Sequence, residues 1–390
     1  MGTVRAPRAG PPGPRPEPDY ESRALMKTAV VLGTGLVGTS VALALSRHGV
    51  LVLLEDRDPD AARTAASLGA GTVLAREGPG QPVDLAILAV PPAHVARTLG
   101  FAQERGLARA YTDVCSVKAG PAAEAAALGL DLSSYIGGHP LSGREKSGPL
   151  AARGDLFEGR PWVLTPAAET RRDVLNRALE LVSLCGSVPV VMDPIEHDRA
   201  VALISHAPHL VSALMAARLE NASEEAARIA GQGVRDVTRI AAGDPALWRE
   251  ILTANADAVA DVLDEYASDL AAVIGSLRAL AKEPTGPSGD AASEELVARL
   301  RRGNTGQARI PGKHGAPRAA YAAVLVVIGD APGELARLFA VVGALRVNIE
   351  DMTIEHSPGQ QVGHVTLYVD PEAAPGLAAG LAERGWTVQS

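Results

Sequence analysis

Six residues, Gly33-Thr34-Gly35-Leu36-Val37-Gly38, separate an apolar run over 27–32 from an Ala- and Leu-rich stretch over 39–48. The run has the length of a buried strand and the stretch that of a helix, so the glycines fall at a strand-to-helix turn. Each glycine then has its own task. The first permits the tight turn, the second lets a pyrophosphate approach the backbone, and the third lets helix pack on strand. N–H groups at the start of the helix, aided by its dipole, face the phosphates. Asp56 closes a second apolar run over 50–54, roughly 20 residues on, where a carboxylate binds a ribose 2′-hydroxyl. A 2′-phosphate would be repelled there, which favours NAD over NADP, with Arg57 softening the preference. Gly33, Gly35, Leu36, Val37, Gly38, Asp56 and Val90 are the expected cofactor-binding residues.

The alternation continues. Helical spacing over 60–68 is followed by apolar strands over 83–90 and 110–114, which predicts a parallel sheet covered by helices on both faces. The fold class is α/β, with a Rossmann domain over 26–190. From 191 to 283 strand patterning disappears. Leu203, Ala207, Leu210 and Leu214, then Ile251, Ala254, Ala258 and Val262, recur at helical spacing and predict an all-helical domain. Its helices are apolar on more than one side, which predicts a homodimer. Residues 284–318 are rich in Pro and Gly and read as a linker with a short helix over 292–301. Residues 319–390 read β-α-β-β-α-β, a ferredoxin-like plan. Residues 1–25 are rich in Pro and Arg with no apolar segment, and read as a disordered tail or as sequence upstream of a true start at Met26.

Composition narrows the function. A formal net charge of −8 argues against general affinity for polyanions, and 3% aromatics leaves no stacking platform for nucleic acid. Cys115 and Cys185 lie far apart and read as buried thiols of a reducing compartment. No unbroken run of 18 apolar residues occurs, so no membrane span and a cytoplasmic location are expected.

Three segments carry candidate chemistry. Asp113-Val114-Cys115-Ser116-Val117-Lys118 follows a strand, at the sheet edge where ligands bind in this fold. Gly137-Gly138-His139-Pro140 begins a glycine-dense stretch that extends to Gly148, and predicts close approach of backbone to a ligand. Glu196-His197-Asp198 and Ser205-His206-Ala207-Pro208-His209 open the helical region.

Together with Asp193-Pro194, Arg235-Asp236-Val237-Thr238-Arg239, Asp244-Pro245 and Trp248, these segments resemble the prephenate/arogenate dehydrogenase family over 27–281. The C-terminal unit resembles an ACT domain through Asp330-Ala331-Pro332-Gly333 and Asn348-Ile349-Glu350-Asp351. The resemblance implies NAD-dependent oxidative decarboxylation of prephenate to 4-hydroxyphenylpyruvate in tyrosine biosynthesis, with tyrosine as an effector at the ACT domain. The reaction removes a hydride from C4 and a proton from the C4 hydroxyl, and aromatisation drives loss of carbon dioxide. No metal is required. His139 suits the base, since neutral imidazole takes a proton near pH 7. The resemblance implies that Ser116 bonds the same hydroxyl and that Arg239 grips a substrate carboxylate. It also implies that His209 serves the side-chain end, that His197 lies near nicotinamide or substrate, and that Glu145 acts in gating or holds a positive group. Trp248 reads either as an interface residue or as core. Gly231-Gln232-Gly233 departs from an all-glycine run associated with the family, which puts the detail of the interface loop in doubt.

Competing readings stay open at this point. Arogenate carries an ammonium that Glu145 would favour. A non-catalytic amino-acid sensor could keep the fold, although an intact His139 and Ser116 argue against it. A β-hydroxyacid dehydrogenase would want a lysine on the helical domain, and 195–280 contains none. His197, His206 and His209 with Asp198 could hold a metal, which hydride transfer does not need.

Overall fold

The computed structural model describes residues 26–142, 148–310, 321–356 and 362–389. The expected tail over 1–25 and the candidate Glu145 lie outside the described residues. The chain divides into two compact units. One holds the described residues up to Ala222 with Val237–Leu263, and the other holds Ser223–Asp236 with the chain from Asp264 onward.

In the first unit β1 (Thr28–Leu32), β2 (Leu51–Glu55), β3 (Thr72–Val73), β4 (Leu85–Leu88), β5 (Tyr111–Asp113), β6 (Tyr135–Pro140), β7 (Pro161–Thr165) and β8 (Val188–Val191) form one sheet. Its order is β3-β2-β1-β4-β5-β6-β7-β8. The first six strands are parallel, in the doubly wound order of a dinucleotide-binding fold. β7 runs against β6, and β8 lies parallel to β7. Helices α1 (Leu36–Arg47), α2 (Pro59–Ser67), α3 (Val95–Glu104), α4 (Ala119–Ala127) and α5 (Arg172–Leu184) intervene. Alternate strand residues feed two separate cores. Val31, Leu85 and Ile87 pack with Leu45 of α1 and Leu181 of α5, while Val30, Leu32, Ala86 and Leu88 pack with Val95 and Leu99 of α3. Both faces are dry, which is why these strands are continuous apolar runs.

The helical region begins with α6 (Pro194–Val201), a π turn (Ala202–His206) and α7 (Ala207–Ala217). It continues through α8 (Glu224–Arg228), α9 (Gln232–Thr238), α10 (Pro245–Ala254) and α11 (Ala256–Lys282). It is shared between the two units rather than forming a compact body of its own. Pro194–Ala217 is continuous, and by length and apolar composition is long enough to cross a membrane. That qualifies the expectation drawn from unbroken apolar runs. This helix buries the polar His197, Asp198, His206, His209 and Ser212 and leaves the apolar Ile195, Leu203, Ile204 and Leu214 exposed.

In the second unit, α12 (Pro287–Ala308) occupies most of the expected linker. The short helix expected over 292–301 extends in both directions, started by Pro287 at its first turn after Gly286 at positive φ. Arg299 and Arg302 of α12 pair with Asp269 of α11, which holds the helix in place. Beyond it β9 (Ala322–Gly329), α13 (Glu334–Ala344), β10 (Asp351–His356), β11 (Val362–Val369), α14 (Ala374–Glu383) and β12 (Thr387–Gln389) follow the expected order. The four strands are antiparallel, ordered β10-β11-β9-β12. Val324, Val326 and Ile328 of β9 and Val365, Leu367 and Val369 of β11 meet Leu338, Val342, Leu377 and Leu381 of the two helices. Only alternate strand residues are buried, as a sheet covered on one face requires.

Candidate active site

The cofactor loop joins β1 to α1. Gly33 has φ 103°, and a Cβ there would lie 2.2 Å from the carbonyl oxygen of Ala89. A Cβ on Gly38 would lie 2.0 Å from the oxygen of Gly33. Around Gly35 a Cβ would meet nothing within 4 Å, so the backbone there faces open space. Gly35 also caps α1 without any side-chain bond over the first N–H groups. A blocked, an open and a blocked glycine, with a bare helix start, fit a pyrophosphate. Leu36 and Val37 enter the helix half-buried, and Val90 lies against Gly33. Asp56 ends beside the loop. Its Oδ2 accepts from the N–H (2.6 Å) and hydroxyl (3.0 Å) of Thr34, and its Oδ1 from the N–H of Asp58 (2.9 Å). Both lone pairs of Oδ2 are thus taken by Thr34, and Oδ1 keeps one for a ribose hydroxyl. Thr34 is fully buried and fastens the loop to Asp56, a contact that reading the glycines alone missed.

The second centre is assembled from β5, β6 and α6. His139 lies on β6, half-buried. Its Nδ1 is 2.8 Å from Nε2 of His197, and Nδ1 of His197 is 2.7 Å from Oδ1 of Asp198. Asp198 in turn accepts from the N–H groups of Lys118 (2.8 Å) and Ala119 (2.9 Å) where α4 begins. His197 is 0% exposed with both ring nitrogens engaged, so it stands behind His139. His197 is expected near nicotinamide or substrate; the structure places it one ring behind His139 with protein partners on both nitrogens.

Beneath His139 the Asp113–Lys118 segment folds into a buried charged cluster, a pairing that the segment's position after a strand did not disclose. Lys118 donates to Oδ1 of Asp113, to the carbonyl of Gly138 (2.6 Å) and to Cys115. Tyr135 donates to the other Asp113 oxygen at 2.5 Å. Burial opposes the charge on Lys118, but Asp113 beside it overcomes that and holds its pKa above the usual lysine value. Burial, then the charge of Asp113, pushes the thiol of Cys115 up. Gly137 and Gly138 are small because of this cluster. A Cβ on Gly137 would strike Thr165 at 2.4 Å and crowd Lys118 at 3.2 Å, and one on Gly138 would meet the oxygen of Asp113 at 2.6 Å. The glycine-dense stretch therefore packs against protein at these two positions, not against a ligand as its composition suggested. Burial, then the positive charge of Lys118, then His197 and His206, hold His139 well below the ordinary imidazole value. It is a neutral acceptor at neutral pH.

Two further histidines line the helical side. Residues nine apart in regular 3.6-residue turns fall on opposite faces. The wider π turn re-phases the helix, and both His197 and His206 are buried. Asn255 donates to the carbonyl of Asp198 (2.8 Å) and lies 3.1 Å from Nδ1 of His206. Burial lowers His206 to about 4. His209 stacks on Trp248 with ring centroids 3.6 Å apart, and burial lowers its pKa as well. Arg239 is exposed in a short 3-10 turn after α9. Ser116 is half-buried between β5 and α4, and among the described residues no hydrogen bond joins it to His139.

Comparison with known proteins bears on the same segments. The sequence profile of the prephenate dehydrogenase nucleotide-binding domain matches residues 41–191, and that of the prephenate dehydrogenase dimerization domain matches 193–301. A probable prephenate dehydrogenase of Streptomyces niveus, NovF, is 44% identical over 94% of this chain and 100% of its own length. A prephenate dehydrogenase of Bacillus subtilis is 29% identical over 84% of this chain and 88% of its own. Among solved structures, prephenate dehydrogenase from Aquifex aeolicus with hydroxyphenyl propionate and NAD+ superposes with a TM-score of 0.62 at 26% identity. That match covers 72% of this chain and 97% of that one. Synechocystis arogenate dehydrogenase superposes with a TM-score of 0.60 at 28% identity, over 72% of this chain and 98% of that one.

Proposed function

The chain belongs to the prephenate dehydrogenase family, and from that premise we propose that it oxidises prephenate with NAD+ and releases carbon dioxide and 4-hydroxyphenylpyruvate in tyrosine biosynthesis. The observation that carries this reading is a half-buried neutral imidazole, His139, on the strand next to β5 in a sheet whose first loop fits a dinucleotide. Gly33, Gly35 and Gly38 would hold the pyrophosphate, and Asp56 would take a ribose hydroxyl and disfavour a 2′-phosphate. NAD+ bound there supplies the hydride acceptor for C4 of the ring.

His139 takes the proton of the C4 hydroxyl as the C4 oxygen becomes a carbonyl. The bond from the ring to its carboxyl group then breaks, its electron pair passes through the ring to the C4 oxygen, and carbon dioxide leaves. The ring is then aromatic, and return of the proton from His139 to the C4 oxygen gives the phenol, so no metal is called upon. Ser116 donates to or accepts from the same hydroxyl and keeps it over His139. Arg239 grips a substrate carboxylate, and His209, flattened against Trp248, lines the side-chain end. Glu145 acts in gating or in holding a positive group. The helical region joins two copies into a homodimer. The C-terminal β-α-β-β-α-β unit acts as an ACT domain with tyrosine as its effector, and the enzyme works in the cytoplasm.

The test is NADH formation with prephenate and arogenate side by side, each with NAD+ and NADP+, with and without tyrosine. Prephenate-dependent reduction of NAD+, suppressed by tyrosine, is the expected result. Turnover with arogenate alone would reassign the substrate, and silence with both would overturn the activity.

A further inference from the structure

From the contacts behind His139 we infer that His197 and Asp198 are positioning residues that select the reactive tautomer of the base and stabilise its protonated form. The inference rests on His139 being the base. It follows from counting donors and acceptors along one line. Asp198 accepts from the N–H groups of Lys118 and Ala119, so its oxygens act as acceptors. Only an N–H of His197 Nδ1 can therefore meet Oδ1 of Asp198 at 2.7 Å. With that proton on Nδ1, the neutral form of the ring presents a lone pair at Nε2, and this is the form we assign to His197. At 2.8 Å it requires the proton of His139 to be on Nδ1. Nε2 of His139 is then left as the acceptor. When it takes the substrate proton, the new imidazolium still donates from Nδ1 to His197, and the carboxylate of Asp198 lies one ring further along the line. A carboxylate bonded directly to a base imidazole fixes its tautomer and stabilises its imidazolium; here the ring of His197 lies between the two.

The groups facing His139 agree with this order. On the α4 side Lys118 donates to the carbonyl of Gly138, adjacent to His139, and is neutralised by Asp113 with Tyr135 and Cys115 around it. On the helical side His206 receives its contact from Asn255, which also donates to the carbonyl of Asp198. No other acidic side chain is hydrogen-bonded to either ring of the His139–His197 pair among the described residues.

The decisive variant is Asp198→Asn. An amide there presents N–H2 either to His197 or to a backbone N–H, and in the first case reverses both tautomers. Expected are a fall in kcat of about 10²–10⁴-fold with NAD+ binding retained, and a kcat that climbs with pH where the parent enzyme is flat. Because Asp198 also holds the backbone at 118–119, a second pair of variants guards against misfolding. His197→Gln keeps an acceptor for His139 and a donor for Asp198, whereas His197→Leu keeps only volume at a fully buried site. Gln retaining more turnover than Leu supports the relay. Leu equal to or better than Gln, or Asp198→Asn with parental kcat and pH profile, overturns it. His139→Asn separates the two ideas. If it keeps turnover, the base assignment falls and the relay with it. If it is inactive while Asp198→Asn and His197→Leu behave as parent, the base stands and the relay fails.

Discussion

The cofactor loop and the His139 centre sit on the same sheet but are built in opposite ways. The loop is six consecutive residues plus Asp56, and its working parts are backbone: one glycine turned to φ 103°, one left open, one pressed against the strand. The His139 centre has almost no local logic. Lys118 reaches Asp198 across 80 positions and His139 reaches His197 across 58, and every contact is made by buried side chains or by backbone that they hold. The loop therefore tolerates changes around it but not within it. The base site depends on charges in the core, so distant substitutions reach it.

That contrast can be broken at its strongest point first. His139→Asn is expected to lower turnover about 10²–10⁴-fold while NAD+ titrates as before, because only the side-chain centre is touched. Steady-state NADH formation with a parallel fluorescence titration checks this, and near-normal turnover would remove His139 as base. Next, Lys118→Met strands Asp113 in the core and should cost about 3–5 kcal/mol in urea unfolding. Adding Asp113→Asn should restore much of the loss, since the uncompensated charge is then gone. An unchanged midpoint in the single variant would mean that the buried pair contributes nothing.

Within the loop two glycines should part company. Gly33→Ala drives a Cβ into the Ala89 carbonyl at positive φ and should destabilise the fold by about 2 kcal/mol or more. Gly35→Ala meets no protein atom and should leave Tm alone while weakening NAD+ binding about tenfold, near 1.4 kcal/mol. Similar effects of the two on both readouts would erase the distinction between a turn glycine and an approach glycine. The smallest effect is the acid response. Burial keeps His139 and His206 below the ordinary 6.5, His206 at about 4. Between those values the unfolded chain binds more protons than the folded one, so stability is full above about 6.5 and declines as pH falls toward about 4. Urea midpoints across that window read it directly, and His206→Gln should flatten the slope.

Several features were legible in order along the chain. The strand-glycine-helix unit, the clamp position of Asp56, the β-α-β-β-α-β order after residue 321 and the helical texture after 193 all follow from residues within about twenty positions of one another. β6 was not legible, because Tyr135-Ile136-Gly137-Gly138-His139-Pro140 lacks strand-forming residues at its centre, and its glycines are explained only by Lys118 and Thr165 packed over them. The helix in the expected linker was legible only over 292–301, and its extension to Pro287–Ala308 was not, because Gly303 and Gly306 oppose it locally while Asp269 of α11 pairs with Arg299 and Arg302.

Sequence by itself determined where a dinucleotide belongs, since backbone freedom and strand-to-helix geometry are properties of neighbouring residues. It also marked His139 as the candidate base and His197 as a candidate site residue. Tertiary structure alone decided what His197 touches, which ring nitrogen of His139 faces it, and where Lys118 lies relative to both. Those outcomes depend on which donors and acceptors share a water-free space, and residues far apart in the chain share such a space only once the sheet and helices have packed.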